Sequence, residues 1–143
     1  MRNVFLTPFL AAILLAQGQP RQAPPPDDPV LFRYFFEAQS DPGKAQASAN
    51  ASINAKESPK LAVILQSVAK DLRTLDQQRQ AYLDIMLKRQ QRPNPATLQA
   101  FESRKYLLSA GGTNQIRRGV SHQGWQELRA HVNGPFRAAL VSR

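Results

Sequence analysis

The side chains able to do chemistry are few. His122 and His131 are the two imidazoles in 143 residues, and they stand nine residues apart. Nine residues on one helix make about two and a half turns, so the rings point to different sides and cannot hold one ion together without distant ligands. Cysteine is absent, which excludes a disulfide framework, a thiolate metal site and a cysteine nucleophile. The H-E-x-x-H, P-loop, G-x-S-x-G and G-x-G-x-x-G patterns are all missing. His122 reads as a solvent-facing or capping residue, and His131, beside Val132, as a residue at the edge of the core. Asp71, Asp76 and Asp84 share one helical stretch with Lys70, Arg73, Arg79 and Lys88, the pattern of a solvated charged face. Glu102 and Glu127 fall on different helices, so tertiary contacts alone could build an acid–base pair from them. The expectation is a protein that is not an enzyme and carries no cofactor or metal.

The basic residues are the more informative set. Nineteen Lys and Arg against ten Asp and Glu give a formal charge of +9, and such a surface attracts anions through a field that salt screens. Lys88, Arg89 and Arg92 gather at one helix end, where they also suit the negative pole of the helix dipole. Arg104 and Lys105 follow on the next helix, with Arg117 and Arg118 near its far end. These seven are the candidate anion- or partner-binding residues. One reading is a solvated face that stabilises helix ends. The other is contact with anionic envelope components, phosphate- or carboxylate-bearing, or with the acidic surface of another envelope protein. Aromatics do not alternate with these cations as they do in stacking platforms, so nucleic acid is not an expected partner.

Helices must position those cations. Residues 1–18 hold an early Arg2, an apolar run and the small pair Ala16 and Gly18, the pattern of a cleaved secretory signal peptide. Its run of about 13 apolar residues falls short of the roughly 20 that span a bilayer. The chain is expected to be exported, periplasmic or secreted, with no transmembrane span once the signal is removed. Residues 19–29 carry five prolines in eleven residues, a semi-rigid extended linker. Residues 30–143 form the expected helical domain.

Within that domain Leu31, Phe32, Phe35 and Phe36 fall on one side of a short helix. Lys44 to Glu57 has Ile53 as its one large apolar residue and reads as a short helix or connector that anchors little. Ser58 and Pro59 resemble an N-cap and first helical residue. Leu61, Leu65, Val68, Leu72, Leu75, Tyr82 and Met86 then alternate spacings of four and three, a heptad-like seam that leaves a homodimer open. A helix to about Gln91 is long for so small a domain, so Thr74 to Gln80 marks where it bends or leaves the bundle. Asn94 and Pro95 start the next helix, which keeps phase through Gly111 and Gly112 to about Arg118. Ser121 caps a last helix with Trp125, Leu128 and Val132 on one face, broken or kinked at Asn133, Gly134 and Pro135. The fold class is all-α, a small bundle of four to five helices with one or two long ones.

The pair Phe35 and Phe36, the Leu- and Arg-rich helices from Leu61 to Arg118, and the terminal pattern of Gly124, Trp125, Leu128, His131 and Val132 carry a resemblance. On them the chain resembles a loose set of uncharacterised exported bacterial proteins, over most of residues 30–140. The resemblance implies an all-helical fold and carries over no activity. Small, basic and helical also describes the periplasmic stress chaperones, but their L-T-x-x-Q motif is missing: Leu6 and Thr7 lie within the signal and lack the following Gln. The function expected is a non-enzymatic binding or interaction role in the cell envelope or outside it. The alternatives are a chaperone-like protein that holds unfolded clients through groups such as Phe32 and Phe36, and an enzyme of unknown type.

Overall fold

A computed structural model describes residues 29–143; the expected signal peptide and all of the linker but Pro29 lie outside the described residues. Five helices follow in order: α1 (Pro29–Glu37), α2 (Pro42–Ser52), α3 (Ser58–Lys88), α4 (Pro95–Gly119) and α5 (His122–His131). A π-helical turn, Val132–Phe136, prolongs α5 into a last α-helical turn, Arg137–Val141. The described residues form the all-α bundle that the periodicity predicts.

The aromatic face of α1 is the centre of the core. Leu31, Phe32, Phe35 and Phe36 are all buried, with Phe32 stacked on Trp125 of α5 at 5.9 Å between centroids and Phe35 edge-on to Phe136 at 5.3 Å. Aromatic pairs in these geometries add to the hydrophobic gain of burial. The α1–α2 turn is closed by buried Gln39, whose Nε2 donates to the Phe35 carbonyl at 3.1 Å and to Ser48 Oγ at 3.0 Å. Asp41 caps α2 by accepting from Lys44 N at 2.8 Å.

The expectation that residues 44–57 anchor little is corrected. Ala45, Ala49 and Ile53 are buried, and α2 packs along α3. Small side chains on the facing stripe let two helices approach closely, so low hydrophobic bulk here serves packing. The start of α3 also differs from the sequence reading. Ser58 is its first residue and Pro59 its second, with Glu57 ahead of them. Glu57 stands at the N-cap position without a side-chain cap bond, and Asn54 closes the turn before it: its Oδ1 accepts from Glu57 N at 3.1 Å and its carbonyl from Ser58 N at 3.0 Å. Ser58 Oγ turns back to the Ala55 carbonyl at 3.3 Å.

With 31 residues, α3 is about 46 Å long. Leu61, Leu65, Val68, Leu72 and Leu75 are buried, whereas Tyr82 and Met86 are only partly so. The buried part of the heptad-like seam is therefore covered by the chain's own helices. The helix ends at Lys88 rather than Gln91 because Gln90 turns left-handed at φ 52°. Gln90 N then donates to the Leu87 carbonyl at 3.0 Å and Gln91 N to the Met86 carbonyl at 2.9 Å, the bond pair of a Schellman stop. Asn94 caps α4, accepting from Ala96 N at 2.9 Å.

As expected, α4 runs through Gly111 and Gly112. A Cβ at Gly112 would sit 2.6 Å from Val68 Cγ2 and 3.1 Å from Phe36 Cζ, so the missing side chain is what lets α4 close on α1 and α3. Ser121 caps α5, accepting from Gly124 N at 3.0 Å. The predicted break at Asn133–Pro135 is milder in the fold: the chain stays helical, and the wider π turn takes in Pro135, which has no N–H to donate.

Among the described residues, every buried apolar side chain lies between Leu31 and Val132. Between Asp76 on α3 and Leu108 on α4 no residue is fully buried. Arg33 of α1 still reaches Glu102, and past that level the two helices extend beyond the bundle as an arm. The outer part of α3, Tyr82 to Lys88, accounts for about 10 Å of it. None of the described helices is long and apolar enough to cross a membrane.

Candidate anion-binding surface

The seven candidate cations occupy three places. Lys88, Arg89 and Arg92 are exposed at the tip of the arm, where α3 turns into α4. Arg104 is exposed halfway along α4, at an open groove of ≈ 450 Å³ shared with Asp71, Gln78 and Leu107. Arg117 and Arg118 are exposed in the last turn of α4. Fourteen residues of helix separate Arg104 from Arg118, about 21 Å, so the fold does not gather the set into one patch.

Lys105 is placed differently from the sequence reading. Its Nζ lies 2.5 Å from Asp76 Oδ1 and its side chain is 14% exposed, so it faces the α3–α4 interface rather than a partner. It belongs to a charge cluster that also holds Arg33 and Glu37 of α1 and Glu102 of α4. Arg33 donates to Glu102 Oε2 at 3.2 Å and lies 3.9 Å from Glu37 Oε1. Burial holds the Glu37 carboxyl above its ordinary pKa; Lys105 and Arg33 pull it down, and Asp76 and Glu102 push it up.

The antiparallel pairing of α3 and α4 adds a cation that sequence reasoning missed. Lys60, in the first turn of α3, runs beside the end of α4: a Cβ at Gly119 would lie 3.2 Å from Lys60 Cε. Lys60 thus joins Arg117 and Arg118 at the base of the hairpin, 58 positions from Arg118 in the chain. The Arg117 guanidinium also lies over Trp125, 5.5 Å from the ring centre, so this residue packs as well as carries charge. Among the described residues, Lys60, Lys88, Arg89, Arg92 and Arg118 make no ion pair.

A second polar constellation was not legible beforehand. Glu57 reaches the start of α5 and accepts from Ser121 N through Oε1 at 2.5 Å. Its Oε2 accepts from Ser121 Oγ at 2.9 Å and from Asn54 Nδ2 at 2.7 Å. The Ser121 backbone N–H is the largest influence holding the Glu57 carboxyl below its ordinary pKa, followed by Asn54. Glu127 completes the clamp by accepting from Asn54 N at 2.9 Å. A carboxylate at a helix N-terminus meets the positive end of the dipole and the unpaired N–H groups there. The Ser121 hydroxyl donates to Glu57 while accepting from Gly124 N, so the constellation acts as a tie between the α2–α3 loop and α5.

The remaining candidates stand where their sequence context suggested. His122 is exposed beside Gln126 at 3.4 Å. His131 is half-buried, edge-on to Phe35 at 6.4 Å, and burial lowers its pKa. Phe32 and Phe36, the groups proposed for holding clients, are 2% and 0% exposed and form core. No three His, Asp or Glu side chains among the described residues are grouped as metal ligands. No family model, curated protein or solved structure matches the chain.

Proposed function

We propose that this is a non-enzymatic binding protein of the cell envelope or its exterior, which engages anionic partners through its basic surface. One observation carries the reading: Lys88, Arg89 and Arg92 at one end of the α3–α4 hairpin, and Lys60 and Arg118 at the other, make no ion pair among the described residues, while most nearby acids are engaged internally. Asp76 and Glu102 hold Lys105 and Arg33, and Glu57 and Glu127 hold the start of α5 and Asn54. The net field of the molecule therefore emerges at the hairpin ends. The placement in the envelope follows from the secretory pattern of residues 1–18.

The test is a titration of residues 19–143, which carry the whole core, with polyphosphate and with polyglutamate at low and high salt. Binding is expected to saturate and to weaken as salt rises. Replacing Arg117 and Arg118 with Ala should weaken it, with Arg118→Ala and Lys60→Ala tested singly because Arg117 also packs on Trp125. Unchanged affinity in all of these would reject the base of the hairpin as the site, and no binding to either polymer would reject the function.

A further inference from the structure

The tip of the arm groups three cations with exposed apolar side chains, whereas Arg104, beside exposed Leu107, is a single cation whose groove also holds Asp71. Leu87, in the last turn of α3, is 77% exposed, and Ile85 is 47% exposed on the other flank. Lys88, Arg89 and Arg92 follow within five positions, and the 17 residues between Asp84 and Glu102 contain no acid. The nearest acid, Asp84, accepts from Gln80 Nε2 at 2.9 Å. The exposed leucine contributes little to folding, and beyond the helix dipole the three cations beside it make no ion pair among the described residues.

The turn is held in one shape. The left-handed Gln90 and its two backbone bonds close α3, Tyr82 Oη accepts from Asn94 N at 2.8 Å, and Asn94 caps α4. Leu87 and the cations are thus presented together at the far end of an arm, clear of the bundle. Because the arm projects about 10 Å past α1, similar to the reach of the screened field at ordinary ionic strength, its tip can touch an extended surface before the body does.

A surface that is negative in its outer layer and apolar just beneath fits this arrangement. We infer that the tip of the α3–α4 arm docks on anionic phospholipid bilayers, with Leu87 entering the interfacial zone and Lys88, Arg89 and Arg92 meeting headgroup phosphates. A soluble polyanion would satisfy the cations and leave Leu87 in water; the bilayer accommodates both. Contact is peripheral, since no described helix can span the membrane. The inference rests on the anionic-partner reading above and names the partner's chemistry.

The experiment is co-sedimentation of residues 19–143 with vesicles of phosphatidylglycerol and phosphatidylcholine in equal parts, and with pure phosphatidylcholine vesicles, alongside the polyphosphate titration. Binding is expected on the anionic vesicles and not on the neutral ones. Each tip cation changed to Gln should lower the partition coefficient about fivefold, and Leu87→Ser about tenfold. All four positions are exposed, so the variants should keep the parent's circular dichroism. As the chain has no cysteine, Leu87→Cys carrying an environment-sensitive dye gives a second readout, a blue shift on adding anionic vesicles. Polyphosphate binding without vesicle binding would overturn the lipid inference and leave the anion-binding function standing. Vesicle binding that ignores the tip variants and falls with Lys60→Gln and Arg118→Gln would also overturn it. Failure of both probes would sink both proposals.

Discussion

Two neighbouring glycines should respond to the same change with opposite sign. Gly111→Ala adds a methyl where nothing lies within 4 Å, on the exposed side of α4. It should stabilise the protein by about 1 kcal/mol, the ordinary difference between Ala and Gly inside a helix. Gly112→Ala gains the same helical preference but places its Cβ 2.6 Å from Val68 Cγ2 and 3.1 Å from Phe36 Cζ. Carbon atoms rest at about 3.5–4.0 Å, so Val68 or the helix must move by about 1 Å. Val68 is buried with a stiff β-branched side chain, and Phe36 is locked among rings. Overpacking of this kind costs about 1–3 kcal/mol, leaving Gly112→Ala between neutral and about 2 kcal/mol destabilised once about 1 kcal/mol of helix preference is returned. Urea unfolding followed by far-ultraviolet circular dichroism measures both, with equal m-values as the check that only stability has changed. Thermal midpoints should separate by about 4 °C per kcal/mol of difference. Adding Val68→Ala to Gly112→Ala should relieve the clash, so the double variant loses less than the sum of its parts. Equal stabilisation by the two glycine changes would refute the close approach of α4 to α1 and α3.

Four other outcomes follow from the local geometry. Glu57→Ala should lower the melting temperature by releasing the start of α5. Gly124→Ala should cost about 1–3 kcal/mol because its Cβ would meet Glu57 Oε2 at 2.2 Å, and that cost should shrink in the Glu57→Ala background. On pH, the lowered folded pKa of His131 means that its contribution is present above the usual histidine range near 6.5 and is lost as pH falls through the lowered value. The lowered Glu57 pKa gives a second loss beginning below the ordinary carboxylate range. Melting temperature against pH should therefore show two acid-side declines, the upper one removed by His131→Gln. Gln90→Gly should stabilise by about 1 kcal/mol in urea unfolding, because a residue with a Cβ is strained at φ 52°.

The helical elements and most of their ends are written in local residue patterns. Asn94 and Ser121 were readable as caps because a cap is a local bond, closed within two or three residues. Leu61 to Leu75 were readable as a buried seam because periodicity reports which face turns inward. The run of α4 through Gly111 and Gly112 was legible because the apolar phase continued to Ile116.

Which charges face outward and what the polar groups hold depended instead on how the helices pack. Lys105 and Arg104 are neighbours in sequence, yet one is paired with Asp76 across the helix interface and the other is exposed. Glu57 lost its expected place in a connector and became the anchor of a helix that starts 65 residues later at His122. Lys60 joined Arg117 and Arg118 only when α3 and α4 lay antiparallel. The physical reason is the same in each case. Helix formation is governed by residues within a turn of one another, whereas the pairing of charges and the assembly of a surface depend on which faces meet, and that is set by the packing of Phe32, Phe35, Phe36 and Trp125 at the centre.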